Sequence, residues 1–264
     1  MNDLFSLAGR TALVTGGGAG IGFAMGCALA GAGARLVFNS SRPDHRDAGV
    51  QAYADAGVDA RGYVADVTDE DAVADMVRRI EADAGGVDIL VNNAGIIRRT
   101  PVCQMDAADF RRVVDVDLVG PFLVSRAVLP GMVARGRGKI INVCSLMSEV
   151  GRETVSAYAA AKGGLKMLTK NIAAEYGPHN IQCNGIGPGY IATQQTAPLR
   201  QPGPDGAMHP FDAFLRGRTP AGRWGEAEDL AGPVVFLASA ASDFVNGHIL
   251  YVDGGLLAYL GKQP

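Results

Sequence analysis

The stretch Thr15-Gly16-Gly17-Gly18-Ala19-Gly20-Ile21-Gly22 follows a short apolar run, Thr11–Thr15 (TALVT), and leads into a helix-like segment over residues 20–33. Its glycines let the backbone turn tightly and come close to a diphosphate. The amino end of the helix that follows aims free N–H groups and the positive end of its dipole at the same place. Strand, glycine turn and helix in that order open a βαβ unit, and this context separates the stretch from the glycine turns common in any α/β protein. The spacing is Gly-xxx-Gly-x-Gly, not the GxGxxG of the general dinucleotide fingerprint.

Outward from this loop, short β-branched runs alternate with longer amphipathic stretches. Strands are predicted at residues 11–15, 35–39, 60–65, 88–92, 139–144, 181–186 and 248–252, and helices at 20–33, 69–84, 107–134, 156–176 and 226–239. The alternation reads as βαβ units on a parallel sheet covered by helices on both faces. Right-handed crossovers leave little besides a doubly wound, Rossmann-type α/β fold of about seven strands. Residues 1–264 are expected to form a single domain. One segment, residues 187–225, breaks the rhythm with many glycines and prolines. Long connections of this kind are usually functional or mobile. Its position after the sixth strand puts it at the carboxyl edge of the sheet, and it is read as a substrate lid with a short helix near residues 211–216; the alternative is a plain surface insertion.

Composition excludes several function classes. Of 264 residues, 48% are hydrophobic and 19% charged, so a sizeable core is available. A formal net charge of -3 gives no reason to expect nucleic acid or an anionic membrane as partner. No basic segment followed by an apolar one opens the chain, and no apolar run is read as reaching the roughly 20 residues of a membrane span. Cys27, Cys103, Cys144 and Cys183 are scattered, as are the four histidines, so neither disulfides nor a metal site is expected. A reducing cytoplasm fits this usage.

With TGGGAGIG at 15–22, NNAG at 92–95 and Tyr158-xxx-Lys162, the chain resembles the short-chain dehydrogenase/reductase family over essentially its whole length. The resemblance implies cofactor-binding roles for Gly16, Gly20, Ile21 and Gly22, with Gly18 of the same loop as a further candidate. It implies that Asp66 and Val67 hold the adenine, and that Asn93, Ala94 and Gly95, after Asn92, border the cofactor. Pro188, Gly189, Ile191 and Thr193 would lie over the nicotinamide and its phosphate, and Tyr158 and Lys162 would also touch the cofactor. Ser145, thirteen positions before Tyr158, matches the family's catalytic serine.

The residue chemistry agrees independently. Tyr158 and Lys162 are four apart on a helix and share a face. A free tyrosine, with a pKa of about 10, is a poor base near neutrality, and a neighbouring ammonium favours tyrosinate. Tyr158 can then exchange a proton with an alcohol or ketone, while Ser145 steadies the substrate oxygen. Where many members of the family place an asparagine, this chain has Asp117. The resemblance implies that its backbone carbonyl supports a proton-relaying water; its carboxylate could also tune Lys162, and a catalytic and a purely structural role both stay open.

For the cofactor, the end of the second strand discriminates. It reads Phe38-Asn39-Ser40-Ser41-Arg42, with no acid before Asp44. Hydroxyls at Ser40 and Ser41 with the guanidinium of Arg42 suit a 2′-phosphate, so NADP(H) is expected over NAD(H). Against this, Ala19 stands where many NADP-dependent relatives have a basic residue.

For the substrate, residues 92–101, 144–171, 184–193, 218–225 and 245–255 resemble the branch of the family that interconverts D-gluconate and 5-keto-D-gluconate. An arginine fork suits such a carboxylate, so Arg99, with Arg98 beside it, is the expected clamp. Glu149 could accept a substrate hydroxyl, and Ser148 and Gln194 are weaker polar candidates. His209 is expected to be structural, and Trp224 to pack at the exit of the lid. Competing readings are a keto-deoxy sugar acid or a 3-oxoacyl thioester as substrate, or a non-catalytic dinucleotide sensor. The last would suit a chain with a damaged Ser, Tyr or Lys, and all three are present. The resemblance also implies a homotetramer, consistent with the apolar end Leu256-Leu257-Ala258-Tyr259-Leu260.

Overall fold

A computed structural model of the chain describes residues 4–203 and 206–261. Seven parallel strands form one sheet in the order β3-β2-β1-β4-β5-β6-β7. They are β1 (Thr11–Thr15), β2 (Arg35–Ser40), β3 (Ala60–Val64), β4 (Ile89–Asn92), β5 (Gly138–Val143), β6 (Ile181–Pro188) and β7 (Ile249–Val252). The order reverses between β1 and β4, which pair through Ala12↔Ile89 to Val14↔Val91. That reversal opens a crevice at the carboxyl ends of the strands, above the glycine loop.

Alternation along the strands builds two cores. Leu13, Val37, Leu90 and Ile140 point to one face, where α3 (Glu70–Ala84), α5 (Gly120–Arg135) and α6 (Ser156–Tyr176) cover them. Ala12, Val14, Phe38 and Ile141 point to the other, under α1 (Gly20–Gly31), α2 (Pro43–Asp55) and α8 (Ala231–Ala238). A period of two on the strands thus makes both faces apolar, as a buried parallel sheet requires. The helix α3 shows the local logic. Asp69 caps it by accepting from Ala72 N–H at 3.0 Å, Val73, Met76, Val77 and Ile80 form its buried stripe, and Gly85 ends it in the left-handed region.

The fold agrees with the sequence reading in class and in strand number, and differs in three details. The helix α2 is absent from the predicted elements: its apolar residues are few, although Pro43 at its first turn and Asp44 behind it are ordinary start signals. The predicted helix at 107–134 is divided into α4 (Ala107–Val114), a π turn (Asp115–Val119) and α5. Together these run 29 residues and contain an 18-residue window of mean hydropathy 1.5, long and apolar enough by length and composition to span a membrane, which corrects the reading that no such run exists. Valines and leucines, interrupted by glycine, proline and single charged residues, give it that mean. Here the helix lies against the sheet with 56% of its apolar window buried, as a core helix does.

Residues 187–225, apart from 204 and 205, which lie outside the described residues, carry a 3₁₀ segment (Gln194–Leu199) and α7 (Pro210–Arg218). An isolated parallel bridge, Ile191↔Gly225, closes the base of this excursion. It is flanked by Ala192 N–H donating to the Gly225 carbonyl at 2.7 Å and Gly225 N–H donating to the Tyr190 carbonyl at 2.9 Å.

Candidate active site

A cleft of about 610 Å³ opens where the strand order reverses. The predicted cofactor and substrate residues line it, except Gly18, Arg42, Arg98, Ser148 and Glu149.

At one end is the glycine loop. Gly16 (φ +60) and Gly20 (φ +57) sit in the left-handed region that favours glycine. A Cβ on Gly16 would stand 3.1 Å from the Ala94 backbone, so the loop needs glycine to approach the end of β4. At Gly20 a side chain would project into open space on the cleft wall, where a diphosphate would need the room. Ala19 gives α1 no capping side chain, which leaves its first-turn N–H groups for an anion. These features fit a dinucleotide diphosphate. The loop is tied down by Asn39, which accepts from Gly16 N–H at 3.1 Å and donates to the Ala65 carbonyl at 2.9 Å. It is tied again by Asn93, which donates to the Thr15 carbonyl at 2.9 Å, while Thr15 Oγ1 accepts from the N–H groups of Asn93 and Ala94. Asn92 reaches the other way, donating to Asn142 on β5 at 2.8 Å. Gly18 packs against Phe38 and His45 outside the cleft.

At the end of β2, Ser40 and Ser41 face the cleft. Arg42 turns outward instead, its Nε 3.0 Å from Asp44, because the nearest acid lies two residues along the chain. This exposed pair is weak and leaves the guanidinium able to swing. Asp66 binds the N–H and hydroxyl of Thr68 and pairs with Arg112 at 3.1 Å. Arg112 also lines the cleft, and nothing in its sequence neighbourhood announces it.

At the other end are Ser145, Tyr158 and Lys162. The carboxyl end of β5 carries Ser145, and the long helix α6 carries the other two on one face, with Lys162 Nζ 5.5 Å from the centre of the Tyr158 ring. Ser148 supports both segments rather than the cleft: its hydroxyl accepts from Ser145 N–H and donates to the Lys162 carbonyl at 2.9 Å. Lys162 is buried. Its Nζ donates to the Val143 carbonyl at 2.8 Å and lies 3.3 Å from Asp117 Oδ2. The π turn aims Asp117 inward, where Oδ1 accepts from Ile96 N–H at 2.8 Å; such turns recur at functional sites. Burial alone would discharge Lys162; the Asp117 carboxylate overrides it and holds the ammonium above the ordinary lysine range. Burial also lifts the Asp117 carboxyl, and Lys162 and the Ile96 N–H pull it back.

The remaining candidates divide. Arg99 and Gln194 line the cleft. Arg98 turns to Asp109 at 3.7 Å. Glu149 does not line the cleft: its Oε1 accepts from both Lys166 and the Tyr251 hydroxyl. His209 caps α7, accepting from Phe211 N–H at 3.1 Å. Trp224 is buried against Tyr190 and Phe211 and donates to Asp212 at 2.7 Å. Among the described residues no group of His, Cys, Asp and Glu side chains is arranged to hold a metal ion.

Comparison with known proteins follows this geometry. The family model described as enoyl-(acyl carrier protein) reductase matches residues 16–257. The 2-dehydro-3-deoxy-D-gluconate 5-dehydrogenase of Formosa agariphila is 56% identical, over 98% of this chain and 97% of its own. The crystal structure of 2-keto-3-deoxy-D-gluconate dehydrogenase from Streptococcus agalactiae superposes with a TM-score of 0.86 at 65% identity, covering 99% of this chain and 98% of that one. That of gluconate 5-dehydrogenase from Burkholderia cenocepacia, in complex with NADP and tartrate, gives 0.91 at 44% identity, covering 98% and 99%. A Rossmann-type oxidoreductase is thereby defined. The chain belongs to the short-chain dehydrogenase/reductase family.

Proposed function

We propose that this chain interconverts an alcohol and a ketone at C5 of a six-carbon sugar acid, with NADP(H) preferred over NAD(H). The observation that carries the reading is one cleft holding the glycine loop at one end, Ser145, Tyr158 and Lys162 at the other, and Arg99 at its mouth. When bound, the nicotinamide supplies or accepts the hydride. Tyr158 gives the proton to the carbonyl oxygen in reduction and takes it from the hydroxyl in oxidation. Lys162, held charged, favours the tyrosinate that oxidation needs. Ser145 donates to the substrate oxygen, and Arg99 holds the carboxylate. The segment over residues 187–225 covers the substrate as a lid.

D-Gluconate and 5-keto-D-gluconate are the first pair suggested by the sequence. The relatives at 56% and 65% identity are named for the keto-deoxy acid, against 44% for the gluconate enzyme, and this favours 2-dehydro-3-deoxy-D-gluconate as the preferred substrate. A thioester substrate is disfavoured because guanidinium groups at the mouth suit an anion, not a carrier arm. The NADP(H) preference is supported by Ser40 and Ser41 on the cleft wall and by the lack of an acid there. Initial rates at the nicotinamide absorbance band test all of this, with both acids and each cofactor in both directions. Turnover of either acid sustains the C5 reading, and the ratio of kcat/KM between them ranks the substrates. Failure with both, in cofactor-binding protein, overturns it.

A further inference from the structure

Outside the residues with an assigned part, the mouth of the cleft holds a second arginine. Arg152 lies on the loop between Ser148 and α6 and lines the cleft with Arg99. Its Nη1 donates to the Tyr190 hydroxyl at 3.1 Å, and its guanidinium carbon is 5.5 Å from the centre of the Phe211 ring on α7. Among the described residues neither Arg99 nor Arg152 is in an ion pair with a carboxylate, whereas Arg98 beside them is.

The backbone brings the two arginines together at a cost. Thr100 N–H donates to the Thr154 carbonyl at 2.8 Å, which stitches the loop of Arg99 to the loop of Arg152. Thr154 holds φ at +67, in the left-handed region that a β-branched residue rarely adopts. Strain of this kind persists where the surroundings enforce it, and it clusters at ligand clamps. The charges themselves conflict: burial, and then the like charge of Arg152, push the Arg99 guanidinium below its ordinary range. An anion between them would relieve that conflict.

We infer that Arg152 is a specificity-determining residue that, with Arg99, forms a two-arginine site for the carboxylate of the substrate. This rests on the sugar-acid reading and sharpens it: the clamp is a pair from two loops, and one member touches the lid through Tyr190 and Phe211. The substrate class it selects is a small hydroxy or keto acid, with uncharged polyols and ketoses disfavoured.

The test is a binding titration of cofactor-loaded protein with L-tartrate, a small dicarboxylate, at low salt. Trp224, the single tryptophan, packs on Tyr190 and Phe211 and reports binding by its fluorescence; calorimetry gives the same constant independently. Arg152→Gln is expected to weaken tartrate about tenfold or more, and Arg152→Lys, which keeps the charge but not the fork, to lose less. Equal binding by wild type and Arg152→Gln overturns the inference, as does absence of binding to wild type. Turnover separates this from the reading beneath it. A wild type that binds tartrate through Arg152 yet turns over neither sugar acid keeps the anion site and sinks the assigned substrates. Turnover of a sugar acid with an unchanged KM in Arg152→Gln does the reverse.

Discussion

Tyr158 lines the cleft one helical turn from a buried ammonium, and its phenol is the group assigned to the proton. Tyr158→Phe keeps the ring and removes that proton, so turnover should fall by about 10²-fold or more while cofactor affinity, read by fluorescence titration, changes little. Asp117→Asn separates charge from scaffold: an amide oxygen can still accept from Ile96 N–H, but the carboxylate facing Lys162 is gone. Lys162 sits above its ordinary value in the folded chain, so the stability it contributes is complete below the ordinary lysine range and is lost as pH rises through the folded value. In Asp117→Asn the alkaline limb of kcat/KM against pH should therefore move to lower pH; an unmoved limb would make Asp117 purely structural. At the other end of the cleft, Ser41→Asp sets a carboxylate against a 2′-phosphate. The ratio of kcat/KM with NADP to that with NAD should drop by roughly tenfold or more, and an unaltered ratio would place the phosphate elsewhere. Residues such as Tyr158, Lys162 and Gly20 are legible from sequence because residue type and spacing along one element carry their chemistry. Arg42, Arg98 and Glu149 stand turned away from the cleft for a physical reason: proximity to a motif does not fix direction, and each side chain finds an opposite charge in Asp44, Asp109 or Lys166. Arg152 leaves no signal at all, since it reaches the cleft through a loop.

At the scale of elements, periodicity exposes the strands and the amphipathic helix α3, whereas α2 has too few apolar positions to register. The π turn is invisible in the same way. One extra residue in a turn leaves the apolar pattern of residues 107–134 nearly intact, yet it is what presents Asp117 to Lys162. The loop that carries Thr154 gives a test at this scale. Thr154→Gly relieves a left-handed β-branched residue and should raise unfolding stability by about 1 kcal/mol in denaturant melts, less the added freedom of the unfolded chain. The same change loosens the stitch to Thr100, so KM for the sugar acid should rise as stability does. A variant that gains stability with no change in KM would show that the strain has no bearing on substrate binding.

For the whole molecule, the two large cores and a small third one around Cys144, Leu165 and Ile249 hold the described elements together, yet apolar surface remains outside them. Phe244 and Leu260 are almost wholly exposed, and Met167 on α6 and Phe122 on α5 are half so. Burial of such residues between copies fits the homotetramer that the family resemblance implies. Light scattering of the purified protein should return four times the chain mass, and a monomer at micromolar concentration would contradict it. The bridge Ile191↔Gly225 bears on the history of the molecule. Because it pins departure and return to one point beside β6, everything between is a cassette with a closed stem. Its length and composition can drift without disturbing strand register, the glycine loop or the spacing of Tyr158 and Lys162. A lineage can therefore rewrite this one contiguous piece of gene while inheriting the sheet and the proton-transfer residues beneath it unchanged.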